Sequence, residues 1–236
     1  LKEIPIFWIN LDRSDRRRNI LQTKLDIYNL NHTRISAVDG NNINLEEYKT
    51  QYIINAKMNE YEVACTLSHM KTIKYCYEQG LKYALILEDD ANFDYFQYKT
   101  QPILDLLNEC KTLDGECLQL ANIVNSKLFS TYNLNNNKLF KHTGACAVAY
   151  LITKPGMQKV LDNFENKKLI EVSELMIFGV ANNFFTAPYF SYPFLRNNKG
   201  EKIDVSTIRL NTKGAHATQT LSKILWDDYY ANSNHI

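Results

Sequence analysis

The sequence predicts an α/β fold, a mainly parallel sheet flanked by helices. Three observations carry that prediction. Short apolar, β-rich runs alternate with segments whose apolar residues recur at helical spacing. The apolar run Tyr83 to Leu87 ends abruptly in three acids, Glu88, Asp89 and Asp90, and open α/β sheets take their ligands beyond the carboxyl ends of strands. The chain has 236 residues, 45% of them hydrophobic, enough for one sizeable core.

Each element follows in order. Ile4 to Asn10 is apolar and reads as the first buried strand. Ser14 or Asp15 can cap a helix whose apolar stripe is Ile20, Leu21, Leu25 and Tyr28. Thr33 to Val38 reads as a second strand, stopped by the turn pair Asp39-Gly40. Residues 41–59 are polar and irregular, with a short helix expected around Leu45 to Ile53. Val63, Leu67, Met70, Ile73 and Tyr77 form a helical stripe that stops at Gly80, a C′ residue. The strand ending in the three acids follows.

Pro102 to Cys110 is expected to be helical, and Cys117 to Ala121 a strand. Residues 122–141 read as a long loop or hairpin, and Cys146 to Ile152 as a strand. Thr153 caps a helix with Pro155 in its first turn, where the missing N–H costs nothing. Residues 182–200 mix aromatics with chain breakers, and Leu221 to Tyr229 predicts a final amphipathic helix. The whole is expected to be one domain, 1–236, with a first half near 1–121 and a second near 122–236.

Charge excludes some functions. With 27 basic and 26 acidic side chains the net charge is +1, which gives no case for nucleic acid or an anionic membrane. The five cysteines show no C-x-x-C spacing, so neither a zinc ribbon nor a disulfide framework is indicated, and a reducing compartment is compatible. No apolar run reaches transmembrane length and no signal peptide is present. A chain starting at Leu1, three residues before a strand, reads as trimmed from a longer one. Walker, dinucleotide-binding, serine-hydrolase and zinc-protease motifs are missing.

Three clustered acids repel one another, and a hard divalent ion such as Mg²⁺ or Mn²⁺ relieves that repulsion through oxygen ligands. The acids therefore propose a metal-assisted site for a phosphate-bearing substrate, against the plainer reading of a solvated acidic turn. The first strand-to-helix turn, Asn10-Leu11-Asp12-Arg13-Ser14-Asp15-Arg16, offers helix N–H groups with Arg13 and Arg16 to a phosphate or base. Arginine there opposes the helix dipole, which speaks slightly for a functional reason, while a solvated, charged first turn remains the plainer reading. Asp39-Gly40 is either an ordinary turn or a ribose contact. His69, beside Ser68, is either a hydrogen-bonded structural residue or a crevice residue.

In this order the segments resemble glycosyltransferase family 25. Trp8-Ile9-Asn10-Leu11-Asp12-Arg13 with Arg16-Arg17 is similar to its opening "INL-R-x-x-R". Ala37-Val38-Asp39-Gly40 is similar to "A-V-D-G", and Glu62 to His69 to "E-x-G-C-x-L-S-H", with Ala64 where glycine is frequent. Tyr83 to Asp90 resembles "Y-A-L-I-L-E-D-D". Gly144 to Tyr150 and Ile152 to Gly156 resemble a later strand and helix start, and Ser206-Thr207-Ile208 a late "S-T-I".

The resemblance implies a GT-A-type, Rossmann-like fold. It implies an inverting, metal-dependent transfer of a hexose, galactose or glucose, from a UDP-sugar. The acceptor would be a hydroxyl on a glycan, a lipooligosaccharide or a collagen-like protein. Asp90 and Glu88 would ligate Mn²⁺ or Mg²⁺. Asn10, Leu11, Arg13, Arg16, Asp39, Gly40, Ser68, His69, Glu88 and Asp89 would bind the nucleotide sugar. An inverting reaction needs a carboxylate base, for which Glu174 is the first candidate and Glu171 the second. The family's usual aspartate is replaced by Ser173. That departure motivates the alternative of an inactive binding or adhesion module on the same fold.

Overall fold

The computed structural model describes residues 1–99, 101–123, 129, 139–141, 145–191 and 213–232. In chain order its elements are β1 (Ile6–Asn10), α1 (Asp15–Ile27), β2 (His32–Ser36), α2 (Leu45–Lys49), β3 (Ile53–Ile54), α3 (Glu60–Glu78), β4 (Tyr83–Glu88), α4 (Ile103–Thr112), β5 (Cys117–Gln119), β6 (Phe140–Lys141), β7 (Ala149–Thr153), α5 (Lys154–Lys167), β8 (Leu169–Ile170), α6 (Ser173–Phe178), β9 (Asn183–Phe185) and α7 (Lys213–Asn232).

Seven strands form one sheet in the order β2-β1-β4-β7-β5-β9-β6. Strands β2, β1, β4, β5 and β9 run the same way, and β7 and β6 run against them. The sheet is therefore mostly parallel, as expected. The two halves of the chain interleave in it, because β7 enters between β4 and β5. Strands β3 and β8 make a separate parallel pair.

Side-chain alternation along the strands builds a core on each face. Ile6 and Trp8 of β1 and Leu85 and Leu87 of β4 pack with Leu21 and Leu25 of α1 and Leu106 and Leu107 of α4. Phe7, Ile9, Ala84 and Ile86 point the other way, onto Val63, Met70 and Ile73 of α3 and Met157 and Val160 of α5. Strand β1 is buried at all positions, the signature of a strand covered on both sides.

Several boundaries differ from the sequence reading. Helix α3 starts at Glu60 because Asn59 and Glu62 form a reciprocal capping box. Gly80 follows it with φ +69°, the left-handed C′ geometry expected of it. Ser14 stands at the N-cap of α1 without a side-chain cap bond, whereas Thr153 does cap α5 through Gly156 N–H. The expected helix to Ile53 stops at Lys49, and Ile53 pairs with Leu169 instead.

Strand β7 starts at Ala149 rather than Cys146. Cys146 has φ +93°, which breaks the extended run. Residues 183–185, in the segment that mixes aromatics with chain breakers and carried no strand expectation, form β9 between β5 and β6. Phe184, Phe185, Tyr189 and Phe190 are all buried, so this aromatic run is core. The final helix, α7, is longer than its apolar stripe. Most of 122–141 and all of 206–208 lie outside the described residues.

Candidate active site

Register places the acids. Ile9 of β1 pairs with Glu88 of β4, and Asn10 pairs with Ser36 of β2. The carboxyl ends of three adjacent parallel strands thus meet on one edge. A cleft of about 600 Å³, counting its solvent-open mouth, lies there. Asn10, Leu11, Arg13, Gly40, Ser68, His69, Glu88, Asp89 and Asp90 line it, nine of the residues singled out from the sequence.

Asn10 is an anchor within the protein. Its side chain is buried, and its Nδ2 donates to Asp89 Oδ2 at 2.7 Å and to Ser14 O at 3.3 Å. Its Oδ1 accepts from Arg34 Nε at 3.0 Å. Both amide hydrogens are thereby used, so Asn10 orients Asp89 and has no N–H left to donate to a ligand.

Arg17 is the residue that the sequence reading passed over. Its guanidinium lies 2.6 Å from Asp89 Oδ1 and 2.8 Å from Asp90 Oδ2. Arg16, the expected contact, is exposed on α1 and does not line the cleft. Successive residues on a helix point about 100° apart, so only one of this pair can face the acids. The run of three arginines was the available signal, and it did not say which one.

The acids then divide their roles. Both oxygens of Asp89 are engaged by Asn10 and Arg17. Asp90 Oδ1 is buried with no hydrogen-bond partner among the described residues. Burial pushes the Asp90 carboxyl up to about 7. Arg17 opposes that rise, and the neighbouring Glu88 and Asp89 add to it. Glu88 Oε1 lies 3.4 Å from His69 Nε2, and His69 Nδ1 lies 3.0 Å from the Tyr150 hydroxyl. His69 is thus both hydrogen-bonded in the core and facing the cleft.

At the rim, Arg13 binds Asp39 through two N–H groups, at 2.7 and 3.2 Å. The bond holds the Asp39 carboxyl below its usual range. Asp39 also accepts from Asn41 N–H and fixes the turn. Gly40 is needed there for space, since a Cβ would stand 2.6 Å from Tyr61 Cδ1 and 2.9 Å from Tyr61 Cα. Tyr61 itself lines the cleft and was not foreseen. Ser68 accepts from Val38 N–H and donates to Ala64 O, so it ties the second turn to α3.

The two base candidates separate. Glu171 is held by Asn55 Nδ2, at 2.7 and 3.0 Å from its two oxygens, and braces the β3–β8 pair. Glu174 accepts from the strained Cys146 N–H at 3.2 Å and from Ser173 Oγ at 3.1 Å. Neither lines the cleft as described. Glu174 still stands one contact behind the cleft wall, because the Ser173 Oγ it accepts from lies 4.0 Å from Sγ of Cys65, a lining residue.

A mostly parallel α/β sheet with acids gathered at its strand ends defines a class of folds that take ligands at that edge. More particularly, the chain belongs to glycosyltransferase family 25, described also as LPS biosynthesis protein, whose profile matches residues 3–176. It is similar to a glycosyltransferase 25 family member of Drosophila melanogaster, 28% identical over 72% of this chain and 30% of the relative. It is also similar to procollagen galactosyltransferase 2 of Homo sapiens, 24% identical over 94% of this chain and 38% of the relative. The chain thus spans only about a third of the length of these relatives. A solved glycosyltransferase involved in glycosylation of the PBCV-1 major capsid aligns at TM-score 0.38 and 9% identity, over 68% of this chain and 66% of that one, too slight a likeness to carry an argument. No described helix is long and apolar enough to cross a membrane.

Proposed function

We propose that this chain carries out metal-dependent, inverting transfer of a hexose from a UDP-sugar to an acceptor hydroxyl. The observation that carries the reading is the buried Asp90 Oδ1, which has no hydrogen-bond partner among the described residues and stands beside Glu88 at the carboxyl end of β4. A buried polar atom without a hydrogen bond calls for an ion or water. The adjoining carboxylates of Asp90 and Glu88 fit Mn²⁺ or Mg²⁺, which favour oxygen ligands. Asp90 and Glu88 would hold the ion, with Asp89 fixed behind them by Asn10 and Arg17. When bound, the ion supplies charge neutralisation on the departing diphosphate.

The protein's own groups do the rest. Arg17 sits beside the acids and offers its guanidinium to a phosphate. Arg13 and the Tyr61 ring at the rim suit a ribose and base. Glu174 would accept the acceptor hydroxyl proton, oriented for this by the Cys146 N–H and Ser173 hydroxyl. The acceptor oxygen then bonds the anomeric carbon as its bond to the diphosphate breaks, and UDP leaves from the opposite face. Ser173, standing where the family's aspartate is usual, acts here by holding Glu174. The relatives named procollagen galactosyltransferase support galactose as the donor sugar and a collagen-like acceptor; glucose as donor and a glycan or lipooligosaccharide as acceptor are the other members of the proposal.

The test is a thermal shift of the protein against UDP-sugars, with Mn²⁺ and with chelator, followed by turnover. Metal-dependent stabilisation by one UDP-sugar is expected, because a ligand of the native state raises apparent stability. Asp90→Ala should abolish that metal dependence. Binding without transfer or hydrolysis across a broad acceptor panel would favour an inactive binding module instead. No shift with any nucleotide would sink both readings.

A further inference from the structure

We propose that Cys65, His69 and Glu88 form a second cation site, for a borderline ion such as Zn²⁺, at the floor of the cleft. The sulfur, nitrogen and oxygen donors lie within 4.8 Å of one another. Cys65 and His69 stand four residues apart on α3 and so share one helix face. Glu88 meets them from the end of β4. All three belong to regular elements packed in the core, which favours a defined geometry over a chance cluster.

The donor set differs in kind from the Asp90 oxygens. Thiolate and imidazole favour Zn²⁺ over Mg²⁺ or Mn²⁺. Zinc bonds of about 2.0–2.3 Å put tetrahedral ligands roughly 3.5 Å apart, so the cluster has only to contract slightly. Three protein ligands leave a fourth position, and all three residues line the cleft, so that position opens to solvent. His69 carries the support expected behind a metal ligand. Its Nδ1 meets the buried Tyr150 hydroxyl at 3.0 Å, which orients the ring and leaves Nε2 toward Glu88. Cys65 alone of the five cysteines is partly exposed, and its Sγ lies 4.0 Å from Ser173 Oγ.

Glu88 is common to this site and to the oxygen site. An ion held by Cys65 and His69 would draw Glu88 away from Asp90, so zinc and manganese compete through one carboxylate. The zinc site itself does not rest on the transferase reading, and its test needs no donor or acceptor.

Cobalt is the probe. Titration of the whole protein with Co²⁺ should give a thiolate-to-cobalt charge-transfer band that saturates at one equivalent. Zn²⁺ should displace it and Mg²⁺ should not. The band should vanish in Cys65→Ser, persist in Cys110→Ser, and require at least tenfold more cobalt in His69→Gln. A wild-type protein that binds cobalt with no charge-transfer band would overturn the proposal, since no thiolate would then be among the ligands. So would a band that survives Cys65→Ser.

Discussion

Replacing Asp90 by asparagine should stabilise the metal-free protein at pH 8 and leave it nearly unchanged at pH 4. The Asp90 carboxyl is raised from 3.8 to about 7, chiefly by burial. Between about pH 4 and pH 7 the unfolded chain has lost this proton while the native state keeps it. Stability therefore falls as pH rises through that window. Some three units at about 1.4 kcal/mol each give a native-state penalty of roughly 4 kcal/mol above pH 7. Asparagine keeps the shape and carries no charge, so it removes the penalty. Arg17 retains Asp89 at 2.6 Å and is not stranded.

For a chain of this size the gain corresponds to roughly 10 °C in Tm. The assay is thermal or urea unfolding of both proteins in chelator at pH 4, 5.5, 7 and 8. The difference should grow steadily from the first pH to the third. A variant no more stable than wild type at pH 8 would refute the reasoning. So would a gain of equal size at pH 4, because the effect would then not be electrostatic.

Three further outcomes are expected. Gly40→Ala forces a Cβ to within 2.9 Å of the Tyr61 backbone, so it should cost about 1–3 kcal/mol in urea unfolding; an unchanged midpoint would show that α3 yields easily. Arg13→Ala breaks an ion pair whose arginine side chain is 42% exposed, so unfolding should change by less than about 1 kcal/mol. Nucleotide affinity, measured by calorimetry, should drop in the same variant, and equal affinity would remove Arg13 from the nucleotide site. Glu174→Gln should lower kcat about 10²–10⁴-fold with donor binding retained, and a variant with normal kcat would exclude it as the base.

The sequence alone determined where β1 and β4 lie and where they end, whereas the second strand, expected over Thr33 to Val38, is β2 at His32–Ser36. β1 and β4 are nearly continuous apolar runs, and such runs are legible because burial on both faces leaves no polar alternation to interpret. The acids Glu88, Asp89 and Asp90, the Asp39-Gly40 turn and the α3 face were legible for the same reason, each being a local pattern next to a strand or helix end. Nine of the residues named in this way do line one cleft.

Only the tertiary structure decided the rest. It chose Arg17 over Arg16, because which arginine faces the acids depends on the rotation of α1 against the sheet. It turned Asn10 from a ligand donor into the support of Asp89, since both its amide hydrogens are used by groups 4 and 79 residues away. It made β9 a strand from three residues with neighbours supplied by β5 and β6. It also brought Cys65, His69 and Glu88 together from α3 and β4. Most of these are contacts between segments distant in sequence, and no local periodicity records them.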